Sequence, residues 1–111
     1  MLEVMSAYVI SEVEVLDEEL ATRYRTLAEQ SIERFGGRYL VRGQQPEVLE
    51  GDWASARRLV IVEFSSMERA RAWYDSPEYA EALKIRSRAL DRRLIFAEGL
   101  EPRITSPSRP G

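Results

Sequence analysis

The sequence predicts one α+β domain whose strands and helices follow the ferredoxin-like, split βαβ order and form an antiparallel sheet. A chain of 111 residues suits a single hydrophobic core. Alternating apolar residues mark strands, and apolar residues at helical spacing mark the helices between them. Both halves show a strand, a helix and a strand, which together give the split βαβ pattern. We expect a flexible N-terminus at residues 1–6, the domain at residues 7–100 and a disordered tail at residues 101–111.

The first half of the domain is expected to contain two strands and the helix that joins them. Residues 7–15 alternate with the two-residue period of a strand. Asp17 is expected to cap a helix whose stripe of inward-facing side chains runs to Phe35. The glycines at residues 36–37 end this helix, as a left-handed C-terminal turn requires. Residues 37–43 are rich in β formers and predict the second strand.

Two further extended segments are predicted in the middle of the chain. Residues 47–50, between Pro46 and Gly51, form an edge strand or a hairpin arm. Residues 57–64 are almost continuously apolar and β-branched, which is typical of a strand buried on both faces. Such burial requires apolar material on each side of the sheet.

The last part of the domain is expected to hold two helical segments and a final strand. Ser65 and Glu68 have the spacing of a capping box for a helix through Tyr74. Ser76, followed directly by a proline, is expected to cap the second helical segment. The final strand is expected at residues 92–99 because apolar β formers return there.

Apolar side chains on both faces of the sheet predict a homodimer. Leu59 and Ile61 share one face, whereas Val60, Val62 and Phe64 share the other. The final strand repeats this two-sided pattern. Helices cover one face of such a sheet, and the chain has no spare helix for the second face. Packing against a second copy is therefore expected, with ordinary partial exposure as the alternative.

Composition narrows the possible chemistry. The chain has neither cysteine nor histidine, which removes thiolate nucleophiles, disulfides, the usual transition-metal ligands and the usual general base. We expect no cofactor and no metal. The formal net charge of −3 lacks the basic footprint that nucleic acid or an anionic membrane surface requires, so neither is expected as a partner. A cytoplasmic location is the default expectation.

The chain resembles a family of small bacterial proteins, the domain of unknown function 1330 family, in several strings that occur in order. They are YLVRG, EVLEGDW, RLVIVEF and WYDSPEYAEALKIR, followed by a closing EG, within about residues 7–100. The resemblance implies a ferredoxin-like fold of the dimeric α+β barrel superfamily, whose members pair their sheets face to face. That superfamily includes cofactor-free monooxygenases, muconolactone-type isomerases, haem-handling enzymes and ligand-binding proteins, so it implies a scaffold rather than a reaction. The missing histidine departs from the haem-binding members.

Three charged residues stand at the ends of otherwise apolar strands. Glu63 and Glu98 are the candidate catalytic carboxylates, and Arg42 is a candidate for binding an anionic group. Strand ends also emerge at the sheet rim, so simple exposure or salt bridges are the alternative for all three.

Three further ligand-binding candidates lie in the helical part of the second half. Arg86 falls on the stripe of its helix, where a charge needs a carboxylate or a bound anion as partner. Tyr74 and Tyr79 place two phenols close to an arginine, a combination that binds carboxylates or aromatic rings. A structural salt bridge for Arg86 and core packing for the tyrosines are the alternatives.

Two functions fit these residues. The first is a cofactor-independent enzyme, of isomerase or monooxygenase type, that acts on a small anionic or aromatic metabolite. The second is a non-catalytic dimeric module that binds a metabolite or another protein. No motif in the sequence specifies a reaction, so the two hypotheses differ in whether a carboxylate and an arginine converge on an enclosed pocket.

Overall fold

A computed structural model describes residues 4–54 and 56–102, and it shows a four-stranded antiparallel sheet in the order β2-β3-β1-β4 with three helices on one face. The elements follow the predicted split βαβ order, which confirms the α+β fold class. They are β1 (Ala7–Val15), α1 (Glu18–Arg34), β2 (Arg38–Gln44), β3 (Arg58–Phe64), α2 (Met67–Tyr74), α3 (Pro77–Ala89) and β4 (Leu90–Glu98). Within the described ranges, no helix is long and apolar enough to cross a membrane.

Most element boundaries agree with the sequence pattern, and the helix caps explain why. The Asp17 carboxylate accepts a hydrogen bond from the backbone N–H of Leu20 at 3.0 Å, which fixes the start of α1. Gly36, with a φ of 77°, supplies the left-handed turn that ends it. Ser76 accepts from the N–H of Tyr79 at 3.1 Å and starts α3, as predicted.

Three local predictions were wrong. Residues 47–50 form no strand, and Leu49 is 85% exposed. Ser66 rather than Ser65 caps α2, since its extended backbone lets the side chain accept from the N–H of Arg69. The last strand starts at Leu90, directly after α3.

In the single chain, β3 is buried on the helix-covered face of the sheet and only partly on the other. Its helix-facing residues Val62 and Phe64 are buried, whereas Leu59 and Ile61 on the other face are only half-buried in the single chain. We call the helix-covered side of the sheet the inner face and the other side the open face. The open face carries the apolar side chains for which the sequence predicted a second copy.

The two ends of the described chain meet beside β1 and β4. Ser6 is fully buried, and its carbonyl accepts a hydrogen bond from the N–H of Gly99 at 2.6 Å. The domain therefore includes Ser6 as well as the predicted residues 7–100. Residues 1–3 and 103–111 lie outside the described residues, so the flexible N-terminus and disordered tail stay predictions there.

A register shift in β2 turns Arg42 toward the inner face. Tyr39 pairs with Val62 on that face, but the pairing slips between Tyr39 and Val41, so that Arg42 pairs with the inner-face residue Val60. A bulge of this kind redirects side chains without ending a strand. Tyr39 and Arg42 therefore both reach the space under α1.

Replacing Gly37 by alanine tests how tightly α1 is held against β3. A Cβ at this glycine would lie 2.7 Å from the Phe64 ring and 2.8 Å from Ile32, a distance that forces both side chains to move. We expect Gly37→Ala to lower the free energy of unfolding by about 1–3 kcal/mol, measured by urea denaturation. Gly36→Asn is the control, because asparagine tolerates the left-handed turn there. Equal stability of Gly37→Ala and the wild type would contradict the packing described.

Candidate functional site

A cavity of about 350 Å³ lies between the inner face of the sheet and helix α1. Its size is at the small end of the range for ligand sites in proteins. Aliphatic side chains and one indole form most of its wall. They are Val9, Val13, Val15, Ala28, Ile32, Val60, Val62, Trp73, Leu90 and Leu94.

The charged residues on the cavity lining are mostly arginines. Arg58 and Arg92 flank Val13 on neighbouring strands, since each pairs with it across the sheet. Arg42 pairs with Val60, one row further along. Arg25 and Glu18 on α1 complete the charged part of the lining. With four arginines and one carboxylate in the lining, the cavity is locally cationic in a protein whose net charge is −3.

Among these arginines, Arg92 is the most buried one that has no carboxylate partner. Its Nη1 donates to the Tyr24 hydroxyl at 2.5 Å and to the Tyr79 hydroxyl at 2.8 Å. Across residues 4–54 and 56–102 no carboxylate lies within ion-pair distance of it. Burial lowers the pKa of Arg92, but the two phenol oxygens outweigh burial and raise it above the ordinary value. The cation therefore persists inside a mostly apolar wall.

The other partners of the two tyrosine hydroxyls indicate which hydroxyl donates to the other. The two hydroxyl oxygens lie 2.5 Å apart, and both accept from Arg92 because a guanidinium only donates. Tyr79 is fully buried, and its hydroxyl has no third partner in the described part of the chain. Its proton therefore goes to Tyr24. The proton of Tyr24 is left for the cavity, which Tyr24 lines.

Tyr24 stays protonated far into the alkaline range. Burial raises the pKa of its phenol well above 10.0, and Tyr79 raises it further, whereas Arg92 lowers it by less. A neutral phenol of this kind donates a hydrogen bond or a proton and does not act as a resting base. Tyr24 and Arg92 together therefore form a donor pair aimed at an acceptor in the cavity.

Arg42 closes the β2 side of the cavity. Its guanidinium donates to Glu29 on α1 at 2.9 Å and lies 4.3 Å from the centre of the Tyr39 ring. The hydrogen bond from Arg42 lowers the pKa of Glu29, so this carboxylate stays ionised. The pair joins α1 to β2 and compensates the charge of Arg42, which leaves Arg92 as the stronger anchor for an anion.

The structure brings two of the predicted site residues together and separates the others. Arg42 lines the cavity, and Tyr79 supports it through Tyr24. Glu63 lies on the open face, where its buried carboxylate accepts from Arg38 at 2.8 Å. Glu98 is exposed at the end of β4, away from the cavity lining. The predicted convergence of a glutamate from this pair with Arg42 does not occur.

The helical candidates also take different roles. Tyr74 is partly exposed and packs its ring against Tyr79 and Phe96, at 5.7 and 6.1 Å between ring centres. The Nε of Arg86 is buried and has no hydrogen-bond partner among the described residues. No ion pair of Arg86 is seen in that same part of the chain, so the salt bridge expected for it is not formed there.

Sequence reasoning missed Tyr24 and Arg92 as site residues. Tyr24 belongs to the stripe of inward-facing side chains that the sequence predicts for α1, where an aromatic residue is usually part of the core. Arg92 stood at the expected start of the last strand, but counting back in twos from Phe96 and Leu94 puts it on their face. This alternation was the signal in the sequence that could have identified Arg92. It could be interpreted only by knowing which face of the sheet α1 covers.

A family description matches most of the chain. The family model described as a domain of unknown function (DUF1330) matches residues 6–100. A protein of unknown function from Rhodopseudomonas palustris is 25% identical, with a TM-score of 0.71 over 88% of this chain and 85% of that one. No curated protein matches the chain. The family resemblance predicted from the sequence is confirmed.

More distant solved structures share the fold. SnoaB, a cofactor-independent oxygenase from Streptomyces nogalater, is 9% identical, with a TM-score of 0.54 over 95% of this chain and 100% of that one. A dimeric protein of unknown function with a ferredoxin-like fold, from Bacteroides fragilis, is 14% identical, with a TM-score of 0.52 over 85% and 96%. The predicted ferredoxin-like fold is thereby confirmed.

The raised pKa of Tyr24 predicts how stability depends on pH. The folded protein holds this phenol proton more tightly than the unfolded chain does. The linked free energy of unfolding is therefore fully present below pH 10 and is lost as the pH rises toward the folded pKa. We expect the melting temperature of the wild type to fall more steeply above pH 10 than that of Tyr24→Phe, measured by circular dichroism.

Tyr8→Phe provides the matched control for this pH series, because Tyr8 lies outside the cavity lining. It should retain the wild-type slope above pH 10. Parallel curves for the wild type and Tyr24→Phe would show that the Tyr24 hydroxyl is not held as described.

Proposed function

The chain belongs to the DUF1330 family, and we propose that it binds a small organic anion in the inner-face cavity and acts on it as a cofactor-independent enzyme of isomerase type. The cationic Arg92, which has only neutral phenol partners among the described residues, carries this proposal. Tyr24 supplies the proton. A metabolite with an apolar body and one anionic group is the class of ligand that suits such a cavity.

The proposed ligand carries a negative charge because Arg92 is a partly buried cation. Moving a charge out of water costs several kcal/mol unless a counter-charge and hydrogen bonds compensate it. Two phenol oxygens supply hydrogen bonds to Arg92 but no negative charge. A carboxylate or enolate of a ligand would supply the missing charge and accept the proton that Tyr24 directs into the cavity.

The apolar wall sets the rest of the ligand. Valines from β1 and β3 form the floor, and the Trp73 indole also lines the cavity. These side chains make dispersion contacts with an apolar ligand body. They provide no polar group that would compete with Arg92 for the acid group of the ligand. A small aromatic or branched aliphatic acid therefore fits the lining better than a highly hydroxylated one.

The donor pair supports proton-transfer chemistry. Glu18 is the carboxylate on the cavity lining and can accept a proton from a ligand carbon next to a carbonyl. Tyr24 gives its proton to the carbonyl oxygen in the same step, which yields an enol, and Arg92 stabilises the phenolate that remains. In a ligand whose enol is conjugated with a C=C bond, Glu18 returns its proton to the far carbon of the conjugated system and the enol hydroxyl returns its proton to Tyr24. The double bond shifts and the carbonyl reforms, which completes an isomerisation.

A second candidate function is a cofactor-independent oxygenase. Its support is the shared fold with SnoaB over nearly the whole of both chains. In that reaction the enolised ligand itself would reduce dioxygen, and the same donor pair would hold the ligand anion. Oxygen consumption that depends on a bound acid distinguishes this reaction from isomerisation, which consumes none.

We also propose that the open face pairs with a second copy of the chain. Ile61, Ile10 and Ile95 stand in one row across three strands, and Ile95 is 57% exposed. Leu40 adds a second exposed aliphatic side chain on β2, at 46%. An apolar row of this kind on a sheet is typical of face-to-face sheet packing.

Changing Arg92 to lysine tests the ligand anchor. Lysine keeps the positive charge but loses the planar fork that donates to both tyrosines and to a carboxylate. We expect Arg92→Lys to weaken binding of 3-phenylpropionate or hexanoate about tenfold or more, measured by isothermal titration calorimetry. The neutral amides of both acids should bind the wild type weakly or not at all.

Arg88→Lys is the matched control, because Arg88 is exposed on α3. It should bind like the wild type. Tyr24→Phe separates enzyme from binding module, since it should still bind the acids through Arg92, although more weakly, and should lose all turnover of a substrate found by screening. If no acid bound to the wild type, or if Arg92→Lys bound like it, the cavity would not be an anion site.

The dimer proposal is tested by placing a charge on the open face. We expect Ile95→Arg to shift the protein from dimer to monomer in sedimentation velocity, because the added charge would be desolvated in the interface. Thr26→Arg is the control, since Thr26 is exposed on α1. A monomeric wild type, or a dimer unaffected by Ile95→Arg, would exclude this interface.

A further inference from the structure

Ser11 is the polar residue on an otherwise apolar strand in the floor of the cavity. It lies on β1, and its neighbours across the sheet are Val60 and Leu94. Val9 and Val13 flank it along the same face, and all four of these neighbours line the cavity with it. The fold itself favours a β-branched apolar residue at such a position.

The hydroxyl of Ser11 has no partner in the described part of the chain. Ser11 is only 6% exposed, and no hydrogen bond is formed by its Oγ to residues 4–54 or 56–102. Other buried serines are satisfied: Ser31 accepts from Trp73 at 2.9 Å, and Ser76 donates to the Trp73 carbonyl at 2.7 Å. Ser6 is also unsatisfied, but it lies outside the cavity lining.

Its remaining exposure therefore directs the Ser11 hydroxyl toward the cavity. Unlike the unpaired Oγ of Ser6, the Oγ of Ser11 is not fully buried, so it can be reached from the cavity. A ligand oxygen can bond to it there, because a hydroxyl can both donate to a carbonyl and accept from an alcohol. Ser11 is in this respect like Arg92, a polar group that the protein's own described residues leave incompletely satisfied.

The position of Ser11 relative to Arg92 defines a two-point site. Ser11 pairs with Leu94, and Arg92 stands two residues before Leu94 on β4. Such diagonal neighbours on one face of a sheet are about 7–8 Å apart. A single small molecule spans that distance, with its anionic group at Arg92 and Tyr24 and a second oxygen at Ser11.

We propose that Ser11 recognises this second oxygen, so that the ligand is a hydroxy or oxo acid with an apolar body rather than a plain carboxylic acid. This inference rests on the proposed function, because the acid group must first occupy the site of Arg92. It names the ligand class more narrowly, and it adds a residue to the site that the proton-transfer chemistry did not use.

The test compares acids that differ only by one oxygen. The pairs are phenylpyruvate with 3-phenylpropionate, and 2-oxohexanoate with hexanoate. We expect the wild type to bind the oxo acid of each pair about fivefold more tightly, as one net hydrogen bond provides. Ser11→Ala should abolish this preference while leaving the affinity for the plain acids unchanged, both measured by isothermal titration calorimetry.

Two further variants complete the experiment. Ser87→Ala, at an exposed serine of α3, should retain the preference for the oxo acids. Ser11→Val should also abolish it, and its melting temperature should equal or exceed that of the wild type, because no protein hydrogen bond is lost.

The outcomes separate this inference from the proposed function. Equal binding of both members of each pair, or a preference that survives in Ser11→Ala, overturns the role of Ser11 and leaves the anion site intact. Failure of every acid to bind the wild type overturns the anion site and the role of Ser11 together. A melting temperature of Ser11→Val well below the wild type would show that the hydroxyl serves the fold instead.

Discussion

The inner face of this protein depends on the hydrogen bonds that Arg92 makes to two tyrosines. They join β4 to α1 and α3, since Tyr24 and Tyr79 come from different helices. An apolar set of side chains would pack these elements at least as well, because enclosed charges seldom stabilise a fold. Retaining a cation with neutral partners therefore makes more sense as a binding device than as a structural one.

The same network would couple binding of the proposed anion to folding. Tyr79 also packs in an aromatic cluster around Trp73 of α2, whose ring centre lies 4.2 Å from that of Tyr79 and 5.4 Å from that of Phe64. An anion that reached Arg92 would neutralise a charge that is hydrogen-bonded to this cluster through Tyr79. It would raise the melting temperature as well as occupy the cavity.

The sequence predicted the strands and helices well because their signals are local. Caps such as Asp17 and Ser76, and two-residue alternation in β1, are visible in short stretches of chain. The site depends on long-range facts instead. Arg42 reaches the inner face only through a register shift in β2, and Glu63 was assigned to a pocket because its strand looked buried on both sides. Which face α1 covers decides both cases, and no short stretch of sequence contains that information.

In the proposed reaction, the absence of histidine leaves proton transfer to carboxylates and phenols. A protein without imidazole must move protons near neutral pH with carboxylates or tyrosines, and burial holds the pKa of Tyr24 far above that range. Tyr24 is therefore suited to donate, and donation is favourable only when negative charge develops on the ligand oxygen beside it. Arg92 stabilises that charge whether it resides on the ligand or on the phenolate. In the proposed reaction the pair would thus favour passage through an enol or enolate whose oxygen lies beside Tyr24.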